Sequence, residues 1–272
     1  MKIRTVDAFT FEPYAGNPAA VVLLEESFPA DDRLQRLAAE MNLSETAYAH
    51  PLSGDTEADW ALRWFTPRTE VDLCGHATLA TAHVLRGVGA AGELLRFRTR
   101  SGVLTARPEA NGEITLDFPT APLAELPVPA GVAQALGAPV QAAFDTGPQV
   151  GDLMVEVADE QTVRGLAPDF SALARLPHRG VIVTAAAQDP AGGYDFVSRF
   201  FGPAVGIPED PVTGSAHTAL APLWSERLGR PELTGLQASP RTGRVRTVVR
   251  GDRTLLSGGA VTVFEAELQA AL

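Results

Sequence analysis

The chain has 272 residues, enough to bury a sizeable core as one large domain or as two of about 130 residues, and two is the expected number. Its 45% hydrophobic and 20% charged composition is that of a folded globular protein and excludes a disordered chain. A formal charge of -11 with no basic run would repel a phosphate backbone, so no nucleic acid partner is expected.

No apolar run approaches the roughly 18 residues of a membrane span, and the opening MKIRTVDAFTFEPY carries no signal-peptide core; the expectation is a cytoplasmic protein with no membrane partner. One cysteine cannot form an internal disulfide. Five histidines without an HxH or HExxH arrangement supply too few ligands for a structural zinc site, so no metal is expected, with carboxylate-bound magnesium left open. No GxGxxG follows a strand and no GxxxxGK[ST] is present, so no cofactor is expected either.

In chain order, KIRTVDAF, AAVVLLE, DWALRWF, LLRFRTR, GVLTARPE and EITLDFP are short, alternating or β-branched, and bounded by Gly, Pro or Asn, which predicts antiparallel strands. Between the second and third of these lies DDRLQRLAAEM, whose Leu34, Leu37, Ala38 and Met41 recur at helical spacing. It runs into MNLSETAYAH, a polar cluster followed by the strand-like TAYAH, which places a carboxylate, Glu45, at the entrance to a strand. APLAELPVPAGV, with Pro122, Pro127 and Pro129, is the linker candidate. Beyond it GDLMVEVAD, RGVIVTAA, YDFVSRFF, VRTVVRGD and GAVTVFEAEL continue the strand-rich texture. The expected boundaries are a first domain over 1–120, completed by the C-terminal strand 259–272, a linker over 121–130, and a second domain over 131–258.

The halves read as copies. RWFTPRTEVDLCGHATLATAHVL (63–85) and RFFGPAVGIPEDPVTGSAHTALAPLW (199–224) each open on Arg and two aromatics and reach a Gly turn that starts an apolar helical run. Gly75, Ala77, Ala80 and Ala82 match Gly214, Ala216, Ala219 and Ala221 at a constant offset of 139, the difference between 214 and 75. Arg63 and Arg199 stand 136 apart (199 - 63), so the second copy carries three extra residues before its turn. A duplicated domain follows, each copy a sheet wrapped on one helix that begins at CGHAT or TGSAH. A helix start offers unpaired N–H groups and a partial positive charge, suited to a carboxylate or a developing oxyanion, and two such starts would make a pocket for a small anionic substrate. The plainer reading is that Gly75 and Gly214 only permit a tight turn, with Thr78 and Ser215 as ordinary helix-end residues.

Taken together, DAFTFEPYAGNPAAVV, NLSETAY, the CGHATLATAHVL block, DPVTGSAH and the closing GGAVTV resemble the phenazine-biosynthesis PhzF-like family within the diaminopimelate-epimerase fold superfamily. The resemblance spans nearly the whole chain. It implies an α/β (α+β) fold of two pseudo-symmetric domains, each a curled, mostly antiparallel sheet around a central helix, with the active site in the interdomain cleft. It further implies a homodimer and cofactor-independent isomerisation of the dihydro-hydroxyanthranilate type, a proton shift on a small amino or hydroxy carboxylic acid. By motif, the family's acid/base glutamate falls on Glu45, its substrate-contacting Gly-His pair on Gly75 and His76, and its aspartate and serine on Asp210 and Ser215.

Elementary chemistry admits the same cast. A proton shift needs a base that takes a proton from carbon and an acid that returns it elsewhere, and one carboxyl can do both. Glu45 is that group; His76 can hydrogen-bond the substrate, Asp210 can pair with its amino group, and Ser215 with the N–H groups after Gly214 can grip a carboxylate. Asn17 of AGNPAAVV is read as lining the same cleft. His83 and His217 sit within apolar helical runs and read as packing or surface residues.

Epimerases and racemases of the wider superfamily use two opposed thiols. Here the duplicate of Cys74 is Thr213, whose hydroxyl cannot act as a thiolate-like base, so two-thiol racemisation is disfavoured. Two alternatives stand beside the isomerase: a lyase or hydrolase using Cys74 and His76, and a noncatalytic small-anion-binding protein on the same fold.

Overall fold

The computed structural model describes residues 1–270, so the last two positions of the C-terminal segment 259–272 lie outside the described residues. The chain divides into two compact units, Met1–Asp117 with Ser257–Leu272, and Phe118–Leu256.

In the first unit the strand Lys2–Ala8 runs antiparallel to both Asn17–Leu23 and the C-terminal Ala260–Glu267, with Lys2 opposite Glu267 and Ala8 opposite Ala260. Two further pairs are parallel: Asn17–Leu23 with Glu45–Pro51, and Trp60–Phe65 with Leu95–Thr99. The helices Asp31–Met41 and Gly75–Gly87 lie in the connections. The sheet is mostly antiparallel, as expected; alternation of apolar residues has period two in either kind of sheet and does not pick out the parallel pairs, whose orientation is settled by the long crossover each needs.

The helix Asp31–Met41 turns Leu34 and Ala38 fully inward, with Leu37 and Met41 packed against the same cluster. Asn42 ends it in the left-handed region at φ 49, its N–H returning to Ala38 O, a conformation Asn tolerates better than most residues. Gly75–Gly87 differs in kind. Its buried residues run continuously from His76 to Ala82 and on to Val84 and Leu85, as expected for a helix enclosed on all sides rather than lying on a surface.

The second unit repeats this plan. Leu153–Glu156 is parallel to Val181–Ala186, and Phe196–Gly202 is parallel to Glu232–Gln237, with the helix Gly214–Leu228 in the second connection. Ala216, Ala219, Leu220, Leu223 and Trp224 of that helix pack with Met154, Ile182, Phe196 and Phe200. Pro222 inside the helix has no N–H to give the carbonyl of Thr218, and that carbonyl accepts from Ala121 instead. Ala121 opens the proline-rich stretch read as a linker. The stretch is partly built into this unit, because Ala124–Leu126 forms a strand antiparallel to Ala143–Asp145 while Pro122, Pro127 and Pro129 fall outside it.

The duplication is visible in side-chain detail. The Arg63 guanidinium grips both oxygens of Glu70 at 2.7 Å, and Arg199 grips both of Glu209 at 2.7 and 2.8 Å. Each arginine lies over the aromatic ring two residues on, Phe65 at 5.1 Å and Phe201 at 4.9 Å. The two glutamates are again 139 apart (209 - 70). The enclosed helices start at Gly75 and Gly214, and Thr78 and His217, one repeat apart, each donate back to the carbonyl four residues before.

His217 is fully buried. Nδ1 donates to Thr213 O at 2.8 Å, and Nε2 has no hydrogen-bond partner. Burial pushes this imidazole down to about 4, against a small opposing effect of the Thr213 bond. The unfolded chain therefore binds the His217 proton more readily than the folded one. The stability cost begins as pH falls through 6.5 and is complete near 4, about 3 kcal/mol in all. Urea unfolding from pH 7 to pH 4.5 is expected to show this loss, and His217→Thr, which copies the Thr78 arrangement of the other repeat, is expected to flatten it.

Candidate active site

Three segments of the first unit meet where two parallel strands begin beside the start of the enclosed helix. Asn17 and Glu45 are the first residues of the strands Asn17–Leu23 and Glu45–Pro51, which pair with Ala19 opposite Glu45. His76 is the second residue of the helix Gly75–Gly87, and Cys74 is its N-cap. Gly16 makes the approach of Asn17 possible: it sits at φ 63, and a Cβ there would lie 2.2 Å from the carbonyl oxygen of Ala8.

All four side chains are buried, Asn17 completely, with Glu45 8%, Cys74 7% and His76 5% exposed. Ser44 Oγ donates to Asn17 Oδ1 at 3.2 Å, which turns the amide so that Nδ2 faces His76 Nδ1, also at 3.2 Å. With the amide so oriented Nδ1 is the acceptor of the neutral ring, whose one proton then sits on Nε2. Nε2 lies 3.0 Å from Glu45 Oε2. The contact has ion-pair distance without the alignment of a hydrogen bond, and Oε2 has no hydrogen-bond partner. Cys74 Sγ stands 3.6 Å from Nδ1 and 4.0 Å from Nε2 of the same ring.

Charge follows from this crowding. Burial works to lower the imidazole of His76, its neighbours Cys74 and then Glu45 work to raise it, and the net direction is upward. Burial and then the Glu45 charge push the Cys74 thiol up to about 11, so sulfur is protonated and a poor nucleophile near neutral pH. The N-cap Cys74 makes no capping hydrogen bond through its side chain, and an ordinary helix start leaves its first N–H groups without intrahelical partners.

Asp210, Gly214 and Ser215 lie together in the second unit. Asp210, 8% exposed, accepts from Thr213 Oγ1, while Gln237 accepts from the Thr213 N–H at 2.8 Å and donates to the Asp210 carbonyl at 2.7 Å. Ser215 Oγ accepts from Arg179 at 2.9 Å, and Arg179 holds the fully buried Asp152 at 3.0 and 2.6 Å. Thus Gly75, His76, Glu45 and Asn17 form one group, and Asp210, Gly214 and Ser215 belong to another built by Thr213, Gln237, Arg179 and Asp152. Sequence reading missed Ser44, Gln237, Arg179 and Asp152 as partners: Ser44 stands in NLSETAY beside Glu45 but was given no role, and the other three stand in no motif. His217 is a packing residue, 6.1 Å from the Phe196 ring, and His83 meets Thr262 at 3.1 Å.

A family model for phenazine biosynthesis-like proteins, PhzC-PhzF, matches residues 6–266. The chain belongs to the phenazine biosynthesis-like family. It is 48% identical over 269 residues to an uncharacterized isomerase of Pseudomonas aeruginosa, covering 98% of both chains. It superposes on a PhzF-family phenazine biosynthesis protein from Enterococcus faecalis with a TM-score of 0.89 at 41% identity, covering 98% of this chain and 99% of that one. A hydroxyproline epimerase from Agrobacterium vitis, solved with trans-4-hydroxy-L-proline, shares the fold at 14% identity and a TM-score of 0.59, over 98% and 91% of the two chains. The mixed α/β architecture expected from the sequence is that of this family. Among the described residues no helix is long and apolar enough to cross a membrane.

Proposed function

We propose that the protein is a cofactor-independent isomerase that moves a proton on a small amino or hydroxy carboxylic acid, with Glu45 as the group that takes the proton from carbon and returns it. The observation that carries this reading is Glu45 Oε2, a buried carboxylate oxygen beside an imidazole and without an aligned hydrogen-bond partner. Such an oxygen keeps a lone pair free for a substrate C–H proton. His76, oriented by Asn17 and Ser44, carries its own proton on Nε2 and so can stabilise negative charge on Glu45 or on the substrate. The first turn of Gly75–Gly87, whose N-cap side chain makes no capping bond, offers N–H donors to a substrate carboxylate. Asp210, Gly214 and Ser215 enter the proposal as substrate contacts on chemical grounds: a carboxylate for an amino group, and first-turn N–H groups with a hydroxyl for a carboxylate.

The isomerase names of relatives support the reaction class. The test is a screen of amino and hydroxy acids, including cyclohexadiene carboxylates, by proton NMR in heavy water. Protein-dependent deuterium entry at carbon in at least one of them is expected, and its absence across the screen argues for a noncatalytic binder.

The 3.6 Å approach of Cys74 to His76 is the one observation that favours a thiol-dependent lyase or hydrolase. The raised thiol counts against it. Cys74→Ser is expected to retain deuterium exchange within about tenfold, whereas an essential nucleophile would lose the roughly 10⁴-fold or more typical of such residues.

A further inference from the structure

We propose that Glu45, Cys74 and His76 form a binding site for a thiophilic divalent cation of the zinc class. One ligand atom from each, a carboxylate oxygen, a sulfur and a ring nitrogen, lies within 4.8 Å of the other two. Ligand atoms around one tetrahedral zinc, at bond lengths of about 2.0–2.3 Å, stand about 3.3–3.6 Å apart. The distances found, 3.0 Å from Nε2 to Oε2 and 4.0 Å from Nε2 to Sγ, bracket that spacing, so a small side-chain rotation closes the set on a metal. Sulfur with imidazole and one carboxylate selects zinc or cadmium over the oxygen-seeking magnesium and calcium. Asn17, itself bonded by Ser44, stands 3.2 Å from the far ring nitrogen, where its amide oxygen, once the amide turns over, can accept the N–H that a metal-bound histidine donates.

The exchange of protons balances. Cadmium or zinc takes Cys74 as thiolate, and the thiol proton leaves to solvent. The imidazole stays neutral by carrying its proton on Nδ1, where the Asn17 carbonyl accepts it after the amide turns over. Glu45 binds as carboxylate, and a water completes the fourth position. The site needs nothing from the isomerase reading, but an occupied Glu45 could carry no proton, so metal and turnover would exclude one another.

The test is titration of the metal-free full chain with Cd²⁺, without substrate, following thiolate-to-metal charge-transfer absorption. Cys74 is the sole cysteine, so the band reports on it alone. A band saturating at one Cd²⁺ per chain is expected, bleached by competing Zn²⁺, weakened about tenfold or more in Glu45→Gln and in His76→Gln, and abolished in Cys74→Ser. No band in the wild-type chain overturns the proposal even if a variant fails to fold. So does a band equally strong in both Glu45→Gln and His76→Gln, which marks a lone thiol, or stoichiometric Zn²⁺ binding, read with a chromophoric chelator, that survives Cys74→Ser. Deuterium exchange is measured separately, so either reading can fail while the other stands.

Discussion

Glu45→Gln is expected to lower deuterium incorporation by about 10³-fold, the usual worth of a positioned acid/base group, while a substrate analogue still binds within a few-fold. Glutamine keeps the shape of the side chain, and its amide can sit beside His76 Nε2 as the carboxylate does at 3.0 Å. What it loses is the ability to accept and hold a proton. Glu45→Asp keeps the carboxyl but withdraws it by about one bond, and a misplacement of that size costs roughly 10²-fold, so an intermediate rate is expected. Exchange within tenfold of wild type in Glu45→Gln would end the proposal for this residue, and its binding result would separate lost chemistry from lost folding.

The largest expected loss of stability is at Arg199. The residue is 9% exposed, and its guanidinium holds Glu209 through two bonds and donates to the carbonyls of Leu166 at 2.8 Å and Val163 at 3.3 Å. Arg199→Ala leaves a mostly buried carboxylate without its cation and strips two carbonyls of their donor, a defect worth about 3–5 kcal/mol. Its repeat counterpart provides the control. Arg63 also pairs with the exposed Asp31, and Glu70 is reached at 2.6 Å by Arg100 as well, so Arg63→Ala leaves Glu70 a cation and should cost about 1–2 kcal/mol. Urea unfolding midpoints compare the two directly; equal losses would show that the second cation does not compensate.

These arginines illustrate how much was readable from the chain. The repeat offset of 139 linked Gly75 to Gly214, and the same offset connects Glu70 with Glu209, so the duplicated ion pairs could have been found by extending the alignment five residues back from those glycines. Strand positions followed from alternation and turn residues, and the helix Asp31–Met41 from its Leu34–Ala38 spacing. The parallel pairings and the strand Ala124–Leu126 did not, because a strand's direction and its neighbour depend on where the connecting chain returns. Counting histidines and scanning for close spacing gives no expectation of a structural zinc site, with carboxylate-bound magnesium left open. That argument addresses ligands near one another in sequence, and Glu45 lies about thirty residues from Cys74 and His76.

Residue types and order by themselves determined the two-fold repeat, the helix starts at Gly75 and Gly214, the family, and the candidacy of Glu45, since each is a local pattern or a match along the chain. Only the tertiary structure decided that Glu45 meets His76 at 3.0 Å, that Cys74 crowds the same ring, and that Ser215 is held by Arg179. Those contacts arise from a parallel strand pairing and a helix packed against it. Their distances depend on the backbone being brought back on itself, and a one-dimensional pattern carries no record of that.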